Sequence, residues 1–154
     1  IYQFYLDCHT AILESIKPGQ LASKIMQRAV KKMDKILEET DFAEAYNERA
    51  ARGWVDDYRE RAQRPNAGLG HWLGMTAHDD GFDVGPLRPG MLFTVEPDIR
   101  VPEHKQFIGI EDVVLITEEG VEILSDFVPK TVEDIEAIMQ EDGVLDRWPV
   151  DNPR

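Results

Sequence analysis

The chain contains one cysteine, Cys8, and a single thiol can close no intrachain disulfide. A disulfide-stapled secreted module is therefore excluded. Cys8 falls in a helical pattern, where a buried, unreactive thiol is the reading, and a reducing, cytoplasmic setting is the expected location. Long apolar runs are also missing. None exceeds a few residues, well short of the roughly 20 that a membrane-spanning helix needs. The opening segment, IYQFYLDCHTAILES, has no basic region and no small-residue cleavage site, so it is not a signal peptide. It has no initiator Met either, and the chain reads as cut from something longer. Basic charge is scarce in the later part: residues 91–154 carry 16 acidic and 5 basic residues, against 14 and 12 in residues 1–90. With a formal net charge of -13, the chain should repel phosphate backbones, which excludes nucleic acid as a partner. There is no repeat, linker or low-complexity tract, and no short HExxH-type motif.

What is present reads as one domain. Tyr5, Leu6, Ala11, Ile12 and Leu13 give residues 1–15 a helical pattern, which Lys17-Pro18-Gly19 breaks. Leu21, Ile25, Ala29, Met33 and Ile36 or Leu37 form an apolar stripe on a helix from about Gln20 to Glu38. A third helix is predicted over about Phe42 to Arg64, with Trp54 and Tyr58 on one side, ending at Pro65-Asn66. Residues 67–90 hold six glycines and read as a loop. Strands follow at Met91–Val95, Phe107–Thr117 and Val121–Leu124, the last two joined by a turn at Glu119-Gly120. Thr131 and Asp134 cap a closing helix that runs to about Glu141. Helices, a glycine-rich loop, antiparallel strands and a last helix together predict an α+β fold, with a curved antiparallel sheet and helices on one face.

Three stretches bring together residues with metal or proton chemistry. GLGHWLGMTAHDDG holds His71 and His78 among glycines that let the backbone pass close to a neighbour. FTVEPD places Glu96 at the end of an apolar strand. IGIEDVVLI places Glu111 on the same strand face as Val113 and Leu115, with Asp112 on the other face, so Glu111 is expected to point inward and to need a partner. One imidazole and two carboxylates suit Mn²⁺, Zn²⁺, Co²⁺ or Fe²⁺. A packed histidine and two solvated strand-end glutamates are the alternative that the residues leave open.

GLGHWLGMTAHDDG, LRPGMLFTVEPDIRVPE and GIEDVVLITEEGVEILS, in that order, resemble the C-terminal half of the catalytic domain of aminopeptidase P and prolidase, Xaa-Pro peptidases of the pita-bread fold. IKPG at 16–19 and DFVPKTVEDIEAIM extend the likeness over nearly the whole chain. The resemblance implies that residues 1–154 are the C-terminal portion of a single metallopeptidase catalytic domain whose upstream strands are absent. It implies His71, Glu96 and Glu111 as metal ligands, with Glu111 bridging, Glu96 as general base and His78 as a second catalytic histidine. The cofactor would be two divalent ions, manganese first, and the reaction hydrolysis of N-terminal Xaa-Pro bonds by a metal-activated hydroxide. The partners would be a peptide substrate and a missing N-terminal half or second chain that supplies two aspartate ligands; a homo-oligomer is compatible. Three positions depart from the family pattern: Ala67 and Gly109, where histidine and arginine are usual, and Asp98 in place of glycine. Prolidase, or a catalytically inactive peptide-binding or interaction module of the same fold, remains the alternative.

Overall fold

The computed structural model describes residues 1–64, 67–79 and 85–143. Three helices come first: α1 (Tyr2–Leu13), α2 (Ala22–Glu39) and α3 (Ala45–Arg61). Strands β1 (Leu92–Val95), β2 (Asp98–Val101), β3 (Gln106–Gly109), β4 (Asp112–Ile116) and β5 (Val121–Ile123) follow, and α4 (Val132–Ile138) closes the order. The protein is α+β, as the sequence predicts. Among the described residues, no helix is long and apolar enough to cross a membrane.

Helical spacing of apolar side chains builds most of the core. On α2 the buried residues are Ile25, Met26, Ala29, Val30, Met33 and Leu37, which recur every three or four positions along one side. Leu21 stands just outside the helix and is exposed, so the stripe begins one turn later than its pattern suggests. On α1, Phe4, Tyr5, Cys8, His9, Ala11 and Ile12 face inward. Each large aliphatic side chain so buried contributes roughly 1.5–3 kcal/mol. The break after α1 needs Gly19, whose φ of +75° puts it in the left-handed region. Its N–H then donates to the carbonyl of Leu87 at 2.7 Å, pinning the turn to the far end of the glycine-rich segment. The cap predicted for α4 is present, with the Asp134 N–H donating to Thr131 Oγ1 at 3.1 Å. The helix itself ends at Ile138, three residues short of the predicted end, and leaves Ile138 and Met139 exposed. The Pro65-Asn66 stop signal lies outside the described residues, as do Asp80 and Gly81 at the end of the histidine segment.

The strands depart from the sequence reading in a way that bears on function. The stretch read as one strand over 107–117 is two, β3 and β4, in different sheets. β4 lies between β1 and β5 in a three-stranded antiparallel sheet, while β3 pairs with β2, a strand the sequence pattern did not reveal. Val95 faces Asp112 and Asp98 faces Gly109. The register is therefore kept across the interruption, and counting inward from either side sets Glu96 opposite Glu111 and Pro97 opposite Ile110. The two sheets are one long two-stranded ribbon opened at that point, with β5 added at one end. Pro97 has no N–H to give the ladder, which is one cause of the opening.

Candidate metal centre

The opened ribbon presents both glutamates. Glu96 and Glu111 each follow or precede a paired strand by one residue and project from the same face. The expectation that Glu111 points inward is corrected. Along β4 the buried residues are Asp112, Val114 and Ile116, and the other parity is the more open one. The Glu111 and Glu96 side chains are 52% and 40% exposed, so no burial cost forces a cation on them. The buried carboxylate is Asp112. Its Oδ1 accepts from Ser125 Oγ at 2.5 Å and from Lys130 Nζ at 3.0 Å. His9 Nε2 lies 3.2 Å from Asp112 Oδ2, but the geometry makes no hydrogen bond. Burial pushes the His9 pKa down to about 4, so the ring is neutral and the contact is not an ion pair.

His71 reaches the glutamates because its segment runs alongside β1. The Thr94 N–H donates to the His71 carbonyl at 2.9 Å, and the Leu73 N–H donates to that of Leu92 at 3.2 Å. Gly70 permits this approach: a Cβ there would lie 1.8 Å from the Thr94 carbonyl oxygen. The His71 ring has Nδ1 3.2 Å from the Trp72 carbonyl oxygen. A proton on Nδ1 donates there and leaves the Nε2 lone pair free to bind an ion. Nε2 stands 3.5 Å from Glu96 Oε1 and 3.6 Å from Glu111 Oε1. One donor atom from each of His71, Glu96 and Glu111 lies within 4.8 Å of the others. This donor set and its spacing fit a first-row divalent cation, whose ligand bonds of about 2.0–2.2 Å separate adjacent donors by roughly 3 Å. His78 stacks on His71, with ring centroids 3.9 Å apart and planes 12° from parallel.

Thr94 was missed in the sequence. Its Oγ1 accepts the His71 backbone N–H at 3.2 Å and donates to Glu96 Oε1 at 3.4 Å, so one buried hydroxyl joins the main chain of one ligand residue to the carboxylate of another. Its position two before Glu96 on a strand, hence on the same face, was the available signal. The cluster opens on a cleft of about 940 Å³. Ala67 and Gly109 line it, and so does Asp98, the cross-strand partner of Gly109. The Phe107 ring covers Gly109, since a Cβ there would meet the ring at 3.2 Å.

Fold and cleft together define a class: α+β proteins in which one imidazole and two carboxylates, positioned to hold a divalent cation, sit at the mouth of a substrate-sized cavity. The profile of metallopeptidase family M24 matches residues 1–118, and the chain belongs to that family. It is 35% identical over 154 residues to Xaa-Pro aminopeptidase of Escherichia coli, covering 90% of this chain and 33% of that protein. It is 33% identical over 156 residues to Xaa-Pro aminopeptidase 2 of Streptomyces coelicolor, covering 90% and 32%. Among solved structures, proline aminopeptidase P II from Yersinia pestis superposes with a TM-score of 0.63 at 30% identity, covering 90% of this chain and 34% of that one. The chain thus spans about a third of the length of these relatives.

Proposed function

We propose that these residues form the C-terminal portion of a catalytic domain that removes N-terminal residues from peptides with proline in the second position, and that His71, Glu96 and Glu111 are its metal ligands. The observation that carries this reading is the convergence of the three at a break in an otherwise continuous ribbon. Burial does not carry it, because both carboxylates are solvated. Two further ligands, both aspartates, would come from upstream strands or from a second chain, and a homo-oligomer is compatible with either source. The two short sheets would then be part of the longer curved sheet of the pita-bread fold. Manganese suits a set with more carboxylate than imidazole. The unpaired, buried Cys8 fits a cytoplasmic setting.

When bound, two divalent ions would polarise the scissile carbonyl and acidify a water molecule. The roles proposed for the chain's own residues are those that the family resemblance implies, and the geometry is compatible with them. Glu96, the less exposed glutamate and the one nearest Thr94 Oγ1, would accept the water's proton. Glu111 would help hold the ions, the bridging role being what the resemblance implies. His78, held parallel to His71 at the cleft edge, would donate a hydrogen bond to the oxyanion that develops at the carbonyl. Asp98 and Gly109 leave the next step along the ribbon without the family's arginine. This disfavours a prolidase that grips a free dipeptide carboxylate, and Gly109 with Ala67 favours, as a second reading, a module that binds peptides without cleaving them.

Both readings meet one test in the full-length protein. Mn²⁺ titration by calorimetry and cleavage of Xaa-Pro peptides should both be lost in His71→Ala and Glu111→Gln. Mn²⁺ binding without cleavage in the unsubstituted protein would support the binding module. Undiminished Mn²⁺ affinity in both variants would refute the ligand assignment. The 154-residue chain alone should bind Mn²⁺ weakly; two tight sites on it would refute the need for ligands from elsewhere.

A further inference from the structure

The opening in the ribbon is filled. Pro97 and Ile110 face each other in the register, and Pro97 can donate nothing across the gap. The phenol of Tyr5, from α1 at the other end of the sequence, enters there. Its Oη donates to the Pro97 carbonyl at 2.6 Å and accepts the Ile110 N–H at 2.6 Å. The Ile110 carbonyl is farther from it, at 3.4 Å. The hydroxyl thus stands in for the direct hydrogen bonds the ladder lacks at this pair. The two residues it joins are the immediate neighbours of Glu96 and Glu111. The ring is fully buried, with Trp54 at 5.6 Å and His9 at 6.1 Å between centroids, so it cannot easily swing away. Burial raises the phenol pKa, against the lowering effect of the Ile110 N–H, and so keeps its proton available for Pro97.

We propose that Tyr5 is a positioning residue for the cluster: its hydroxyl is a strut that fixes the width of the ribbon opening, and with it the separation of Glu96 and Glu111. If the strut is removed, a buried carbonyl and an N–H lose their partner. The opening must then hydrate, close or splay, and each outcome shifts both carboxylates together. Groups that orient ligands in this way typically change metal affinity by about 10–100-fold when lost. The inference rests on the metal reading for its consequence, but the strut itself is a matter of backbone hydrogen bonding.

The test uses the full-length protein and has two readouts. In the unsubstituted protein, hydrogen exchange at the Ile110 amide should be as slow as in the centre of β4, and in Tyr5→Phe it should become fast. Calorimetric titration of metal-free protein with Mn²⁺ should show Tyr5→Phe weakened by about 10–100-fold. Val55→Ala, a core truncation on α3, controls for general loss of stability and should bind Mn²⁺ as before. Rapid exchange at Ile110 in the unsubstituted protein would overturn the strut, and this measurement needs no variant to fold. Mn²⁺ affinity in Tyr5→Phe within twofold of normal, or an equal loss in Val55→Ala, would overturn the positioning role. Absence of Mn²⁺ binding in the unsubstituted protein, with Ile110 still protected, would refute the metal reading and leave the strut standing.

Discussion

Replacing Asp112 by alanine should be among the most damaging single changes in the sheet, although Asp112 is one residue away from a glutamate that is free to the solvent. Asp112 is 1% exposed. Its carboxylate accepts the Ser125 hydroxyl at 2.5 Å and the Lys130 ammonium at 3.0 and 3.2 Å. Ser125 Oγ in turn accepts the Val113 N–H at 3.0 Å, so the carboxylate anchors the backbone of β4 through one intermediate. Hydrogen bonds to a charged group contribute about 1.5–3 kcal/mol each, and removing one partner of a buried pair costs about 3–5 kcal/mol because the other is stranded. Lys130 keeps 19% of its side chain exposed and can recover some hydration, which puts the expected loss near the lower end, about 3 kcal/mol. The comparison variant is Lys35→Ala. Its ion pair with Glu39, at 3.6 Å, joins side chains 73% and 66% exposed, and such pairs are worth about 0.3–0.5 kcal/mol. Urea unfolding followed by tryptophan fluorescence should separate the two variants clearly. A loss for Asp112→Ala below about 1 kcal/mol, comparable with that for Lys35→Ala, would show that the buried network does not hold the strand as argued.

Two other perturbations follow from the same geometry. His9 is buried and neutral, with its pKa lowered from 6.5 to about 4. The unfolded chain therefore takes up the proton first. The His9 contribution is complete above pH 6.5 and is lost as pH falls towards 4, so the stability difference between the unsubstituted protein and His9→Gln should narrow over that window in urea titrations; a constant difference would refute it. Gly70→Ala would drive a Cβ to 1.8 Å from the Thr94 carbonyl, so residues 70–73 must move away from β1. Mn²⁺ affinity should fall by at least tenfold while α1–α3 keep their circular dichroism, and unchanged affinity would mean that the close approach does not place His71.

How far the sequence reveals this site depends on how locally each feature is encoded. The stripe on α2 and the Thr131 cap are legible because a few adjacent residues determine them. The three motif segments are legible as segments, and the structure brings His71, Glu96 and Glu111 together. The interruption between β3 and β4 is not legible. Ile108, Ile110, Val113, Val114 and Leu115 carry an apolar pattern through Gly109, Glu111 and Asp112, none of which by itself forces a strand to end. The cause lies in the partner strand, where Pro97 faces Ile110, and in Tyr5, 92 residues away from Pro97. The inward assignment of Glu111 fails for a related reason. Alternation sorts a strand into two faces but does not say which is inside. Here Val113 and Leu115 suggest one face, while Val114 and Ile116, with Asp112, occupy the buried one. A carboxylate is tolerated inside because Lys130 and Ser125 return to it from beyond β5, and a neutral histidine from α1 packs against it. Burial of a charge is decided by what the rest of the chain brings to it. The same logic explains why the exposed glutamates rather than the buried aspartate are available to a cation: Asp112 already has its acceptor capacity used by the protein, whereas Glu96 and Glu111 meet across an opening beside the imidazole of His71, and an imidazole binds metal through its neutral form.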